Sequence, residues 1–303
     1  MYTMEYFEIF NENLQLPEDS VAPLRRDYQI LLNTPGAVEE LETARQKMLA
    51  DVSWWKELVP HMDKLSETSG LHRHVVDFLF LMASSEQMRE DYKNAGLSDE
   101  LYWETIADLK YKLIECHTVY GIWGMFVAFW HAWFFQLRRF KLGRLQYEAI
   151  KYEGDKEVTI GDHTVKPGDT VYNMHIPSCG PFPREAREDS YKQAYEFFKK
   201  DLKDGEPMVF VCHSWLLFPG NREILPAHLN MVDFINDFCI VEWNESDEFH
   251  DKWRVFGADF EKPDAELPED TTMRRGFKKW LLEGKKTGEG LGVFLYDGEK
   301  FIK

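Results

Sequence analysis

Residues Val171–Tyr195 read VYNMHIPSCGPFPREAREDSYKQAY. The run Thr170–Ile176 has the composition of a strand, and Pro177 stops it. A loop holding Ser178, Gly180 and three prolines follows. A helix is expected from about Glu185 to Leu202, with Ala186, Tyr191, Ala194, Phe197 and Phe198 as its apolar positions. Amide N–H groups at a helix start have no intrahelical acceptor and can receive an anion. Arg184 and Arg187 stand in or beside the loop and offer charge-assisted bonds to phosphate. The plainer alternative is a proline-stiffened connector, because phosphate loops usually carry more glycine.

Working outward, the flanks look unlike each other. Downstream, Met208–His213 reads as a buried strand, Asn230–Phe238 as a helix and Cys239–Trp243 as extended chain. Trp253–Phe256 reads as a further strand, Arg274–Glu283 as a helix, and Gly292–Tyr296 pairs with Lys300–Ile302 across Asp297-Gly298. Upstream, Arg144–Lys151 alternates like a half-buried strand, and short strands are expected at Glu157–Ile160 and Thr164–Val165. Before Gly143 the spacing is helical. Helices are expected over Pro17–Leu32, over Val38–Leu58 with Pro60 ending it, over Leu71–Met82 and over Ser85–Asn94. Another starts at a Ser98 cap and runs through Leu113. The fold class is therefore α+β: an all-helical domain over 1–140 and a mixed α/β domain over 141–303.

Val119–Leu137, VYGIWGMFVAFWHAWFFQL, is almost long enough to span a bilayer. Its His131, Gln136 and glycines favour a central buried helix instead. The amino terminus lacks the basic and apolar regions of a signal peptide. Together with sparse cysteines and no C-x-x-C pair, this points to a cytoplasmic, reducing setting.

The formal charge is −17, from 36 Lys plus Arg against 53 Asp plus Glu. Such a field disfavours nucleic acid and anionic membrane as partners. It also repels an anionic ligand unless a local basic patch intervenes. Basic residues gather at Arg138, Arg139, Lys141 and Arg144, and again at Arg274, Arg275, Lys278 and Lys279. Aromatic residues make up 15% of the chain, enough for a bulky core or an apolar ligand cleft.

His175 and His213 each fall near the carboxyl end of an expected strand, where α/β sheets place their sites. Either has the side-chain chemistry of a general base, and either also fits a purely structural hydrogen bond. Cys212, His213 and Ser214 are consecutive, so neighbours point to opposite faces and make no nucleophile–base pair. No G-x-S-x-G elbow appears. His72 and His74 are expected on different faces of a helix, and no tight ligand spacing suggests a metal.

FKLGRLQYE (Phe140–Glu148), NMHIPSCGPF (Asn173–Phe182), DSYKQAYEFF (Asp189–Phe198) and CHSWLLFP (Cys212–Pro219) occur in this order. In these stretches the chain resembles a bacterial family of acyltransferase domain-containing proteins. Its members pair a helical N-acyltransferase-type amino-terminal domain with a GNAT-like carboxyl-terminal domain. The resemblance implies an acyl-CoA-dependent N-acyltransferase, with an amine of a small molecule or peptide as acceptor. A homodimer is one assembly it allows. It further implies that Thr170–Ile176 splays from Met208–His213 and that Pro177–Asp189 holds the pyrophosphate. Met174, Ile176, Ser178, Gly180, Arg184, Arg187 and Ser190 would line the cofactor, and His175 or His213 would deprotonate the amine. Cys179 would offer a relay alternative. The usual loop carries Arg/Gln-x-x-Gly-x-Gly/Ala, whereas here prolines surround Gly180, and proline has no N–H to give. A non-catalytic GNAT-like protein binding an apolar small molecule is the competing expectation.

Overall fold

The computed structural model of the protein describes residues 2–50, 55–203 and 205–302, and the side chain of Trp55 is outside the description. The chain divides into two compact units, Met1–Phe140 and Lys141–Lys303.

The first unit is helical: α1 (Met4–Leu14), α2 (Glu18–Asn33), α3 (Ala37–Ala50), α4 (Trp55–Ser69), α5 (Arg73–Asn94), α6 (Asp99–Ile106), α7 (Asp108–Tyr120) and the short α8 (Ala132–Phe135). Helix α5 is its axis, with Val76 and every residue from Phe78 to Ala83 buried. The expected helix from Val38 is α3, and its continuation through Val52 lies outside the described residues, as does the Trp54-Trp55 pair. Pro60 does not end a helix but lies inside α4. The buried stripe Leu58, Met62 and Leu65 of that helix outweighs the lost N–H of one turn. Leu71–Met82 and Ser85–Asn94 form one helix, because Ala83 to Ser85 continue its buried stretch without a breaker. The helix expected from Ser98 to Leu113 instead divides at Ala107, and Ser98 does cap it, with Leu101 N donating to Ser98 Oγ at 3.1 Å. His72 is the N-cap of α5 rather than a helical residue, so its ring lies 4.7 Å from that of His74.

Val119–Leu137 is not a helix. Helix α7 ends at Gly121, whose φ of +69° closes it in the left-handed region. At Gly124 a Cβ would meet the His74 carbonyl carbon at 2.6 Å, and Met125 N donates to His74 O at 2.8 Å. A chain drawn that tightly onto α5 cannot continue as a helix. Among the described residues no helix is long and apolar enough to cross a membrane.

The second unit contains a seven-stranded sheet, entered through β1 (Arg139–Leu142) at the border of the units. It continues with β2 (Leu145–Lys151), the two-stranded hairpin β3 (Val158–Ile160) and β4 (His163–Val165), β5 (Thr170–His175) and helix α9 (Arg184–Phe198). Then come β6 (Met208–Ser214), α10 (Asn221–Ile224), α11 (Asn230–Ile235), β7 (Cys239–Ser246), α12 (Lys252–Phe256), α13 (Thr272–Leu282), β8 (Thr287–Tyr296) and β9 (Phe301–Ile302). The large sheet runs β1-β2-β5-β6-β8-β7, with β9 on β8. Trp253–Phe256, expected as a strand, is helical within α12, where Val255 and Phe256 turn inward and Arg254 stays at the surface. Strand β8 begins at Thr287, five residues before the expected Gly292.

Strand alternation gives the sheet two working faces. One carries Tyr147, Tyr172, Met174, Phe210 and Phe294, covered by α9 through Tyr191, whose ring lies 5.9 Å from Phe210 and 5.0 Å from Phe294. On the other, Val171, Val211, Val293 and Leu295 pack with Tyr152, Ile160 and Val165 around the β3–β4 hairpin. That hairpin core lies toward the start of β5. Farther along, at the end of β5, polar side chains take over this face.

One buried charge in α5 makes the first unit pH-sensitive. Asp77 accepts from Arg73 Nε at 2.8 Å, yet burial, the dominant effect, pushes its carboxyl up to about 6. The fold therefore prefers the protonated form, and stability falls as pH rises from about 4 through 6. Asp77→Asn removes this dependence. Its unfolding free energy relative to the parent should improve by up to about 3 kcal/mol between pH 4 and pH 8, read by urea denaturation. A difference independent of pH would contradict this placement of Asp77.

Candidate functional site

Strands β5 and β6 run parallel, and they pair only at Tyr172↔Phe210 and Asn173↔Val211. Each is held along its length by its other neighbour. Strand β2 pairs with β5 from Lys151↔Thr170 to Gln146↔His175, and β8 pairs with β6 from Met208↔Tyr296 to Ser214↔Gly290. Beyond Asn173 the two strands diverge. Since alternate residues of a strand turn their backbone groups to opposite neighbours, the β6-facing groups at the end of β5 leave the ladder. The register puts His175 and His213 at equivalent positions on one face, one on each lip of this opening.

His175 is the better supported of the two. Its Nε2 lies 2.9 Å from Glu148 Oε1, and Asn173 Nδ2 donates to the same oxygen at 3.1 Å. The Glu148 carboxylate is 2% exposed and that of the His175 ring 15%, so the pair is sheltered but reachable. Register explains the meeting: Glu148 faces Asn173 across β2–β5, with His175 on the same face two residues on. With the carboxylate accepting from Nε2–H, the imidazole lone pair lies on Nδ1. His213 is 59% exposed, with Nε2 3.5 Å from Glu289 Oε2. Ser214 accepts from Leu216 N at 3.2 Å and caps a short turn, which gives it a structural task.

The loop after β5 is held from behind. Arg144 Nη1 donates to Pro177 O at 2.8 Å, Nε to Pro181 O at 2.8 Å and Nη2 to Gly180 O at 3.0 Å. Gly180 takes a φ of +105°, which only glycine adopts readily. Ser178 and Gly180 are exposed, Ile176 is half-buried, and Met174 is buried toward α9. Cys179 Sγ faces Arg144 O at 3.8 Å. Burial pushes the Cys212 thiol far up from its ordinary value.

The two arginines of α9 differ. Arg184, half exposed, pairs through Nε and Nη2 with Asp233. Arg187 is fully buried: Nε bonds Asp237 at 2.9 Å, Nη2 bonds Asp233 at 2.7 Å and Nη1 bonds Phe182 O at 3.3 Å. Its guanidinium ties α9 to α11 and to the loop. Ser190 is also interior, where its Oγ donates to Leu142 O and accepts from Leu145 N at 3.0 Å. Thus Arg187 and Ser190 lie behind the loop, while Ser178, Gly180 and Arg184 stay on its outer side. Sequence reading passed over Glu148 and the bonding of Arg144. The available signals were an ionisable residue two positions after Gln146 in an otherwise buried strand, and an arginine directly after the Gly143 turn.

A family model described as a GNAT-like C-terminal domain matches residues 139–294, and one described as an N-acyltransferase N-terminal domain matches residues 7–137. No curated protein matches the chain. Among solved structures, an acyltransferase in complex with decanoyl-CoA is 21% identical, with 93% of this chain and 85% of that one covered and a TM-score of 0.67. An acyltransferase in complex with decanoyl-CoA and teicoplanin is 18% identical, with coverage of 96% and 99% and a TM-score of 0.63. An acyltransferase in complex with CoA and 10C-teicoplanin is 18% identical, with coverage of 95% and 98% and a TM-score of 0.62. At such identities the likeness is one of fold. Because the GNAT-like model spans more than half of the 303 residues, the chain belongs to the family with the GNAT-like C-terminal domain, here following an N-acyltransferase N-terminal domain.

Proposed function

We propose that the protein is an acyl-CoA-dependent N-acyltransferase that moves an acyl group to an amine of a small molecule or peptide. The observation that carries this reading is the opening between β5 and β6, with the Glu148–His175 pair on its β5 lip. The acyl-CoA and CoA complexes of the structurally similar acyltransferases support it, and the teicoplanin complexes support an amine-bearing acceptor of some size. Acyl-CoA would enter as co-substrate, with its thioester at the opening and its pyrophosphate at the loop before α9.

In this reading the acceptor nitrogen attacks the thioester carbonyl carbon. A C–N bond forms, His175 Nδ1 takes the amine proton, and the C–S bond breaks. The proton returns to the departing thiolate, leaving amide and CoA. Glu148 holds the imidazole and stabilises its cationic form, as a buried carboxylate does for a catalytic histidine. Backbone N–H groups of β5 beyond Asn173 would polarise the thioester carbonyl. No covalent enzyme intermediate is needed, so Cys179 has no part.

His175→Ala should lower kcat with decanoyl-CoA by about 10²- to 10⁴-fold and leave the KM for decanoyl-CoA close to that of the parent. Glu148→Gln should give a smaller loss, and His213→Ala the least. The assay is release of free thiol with teicoplanin and with simple primary amines as acceptors. Full activity in His175→Ala would remove the proposed base. Binding of apolar ligands without turnover would favour the non-catalytic alternative. Arg187→Met should behave differently, because it leaves two acidic partners in a buried site. It should cost about 3–5 kcal/mol of unfolding free energy, read by urea denaturation. An unchanged midpoint with weakened CoA binding would make Arg187 a ligand contact instead.

A further inference from the structure

We propose that Arg144 is the positioning residue for the pyrophosphate loop, which it orients so that amide donors face the anion. The proposal deepens the acyl-CoA reading and rests on it. The difficulty it resolves is the loop's composition: Pro177, Pro181 and Pro183 supply no N–H, and Gly180 is its one glycine.

The geometry is an inverted way of building an anion site. Three carbonyl oxygens, of Pro177, Gly180 and Pro181, converge on one guanidinium. The peptide bonds are all trans, and in a trans peptide the C=O and N–H point in opposite directions. The carbonyl of Pro177 therefore fixes the N–H of Ser178 away from Arg144. The carbonyl of Pro181 does the same for the N–H of Phe182. The third peptide, Gly180–Pro181, has no N–H, so proline there removes one of three outward donors. Two remain, next to the first turn of α9, whose Pro183 N-cap provides no side-chain acceptor. The same arrangement removes the carbonyl oxygens that would repel a phosphate. Phe182 is fixed from both sides, with Arg144 5.0 Å and Arg187 5.2 Å from its ring centre. A glycine-rich loop can reach such an orientation through backbone freedom. Here a side chain from the start of β2 imposes it on a stiff loop.

The test compares the intact protein with Arg144→Gln and Arg144→Lys. Calorimetric titration with CoA gives affinity. Turnover is measured with decanoyl-CoA and with the decanoyl thioester of N-acetylcysteamine, which carries no phosphate. Arg144→Gln should weaken CoA binding by roughly tenfold to hundredfold and raise the KM for decanoyl-CoA, with turnover of the phosphate-free thioester unchanged. Arg144→Lys, which keeps the charge but not the three-way fork, should fall between, and it carries the comparison if the glutamine variant unfolds. CoA affinity within twofold of the parent in both variants would overturn the proposal. So would an equal loss with both thioesters accompanied by a lower melting temperature. A parent protein that binds no CoA would instead defeat the acyl-CoA reading itself, and this proposal with it.

Discussion

The architecture of the second unit depends on two residue pairs, Tyr172↔Phe210 and Asn173↔Val211, where two half-sheets join. Strand β5 belongs to the half built on β2, and β6 to the half built on β8. Every strand pairing within these halves is antiparallel, so each is firmly registered and twists as a body. The single parallel joint cannot follow both twists along its length, and it opens toward the carboxyl ends of β5 and β6. The closed end is secured on one face by the aromatic cluster of Tyr191, Phe210 and Phe294, and on the other by the valine-rich core under the β3–β4 hairpin. The opening is thus a consequence of sheet construction rather than of a flexible loop.

What stands at the opening follows from register. Glu148, Asn173 and His175 share a face because β2 and β5 pair in antiparallel register. A carboxylate this deeply buried needs partners, and it has both a histidine and an amide. The overall charge of −17 would oppose a CoA ligand. The loop counters it locally, with Arg144 beneath the backbone and Arg184 at the start of α9. The second basic run, Arg274 to Lys279, is committed elsewhere: Arg274 pairs with Asp270, Lys278 with Glu269 and Lys279 with Glu283.

Much of this was legible in the sequence, and the failures have physical reasons. The strand–loop–helix order around Pro177 could be read because proline, glycine and apolar spacing report local backbone preference directly. The terminal hairpin was readable from Asp297-Gly298, and Leu295↔Ile302 bears it out. Val119–Leu137 misled because apolar composition records burial and not backbone geometry. Its path is set by Gly124 against the His74 carbonyl, a contact between residues fifty apart. The early part of β8 was hidden because Gly288, Gly290 and Gly292 read as loop. In a strand they share one face, and Leu217, Phe218 and Phe238 press against it. Arg187 looked like a phosphate ligand by position, but helical geometry turns it inward to Asp233 and Asp237. The pairing of Glu148 with His175 requires the β2–β5 register, which local sequence does not encode.

The most direct test of the account is amide hydrogen exchange across residues 170–190 with and without saturating CoA. If the opening and its loop receive the ligand, exchange should slow at 174–182 and in the first turn of α9, with α13 unchanged. Protection elsewhere, with 174–182 exchanging as in the free protein, would contradict the placement of the site between β5 and β6.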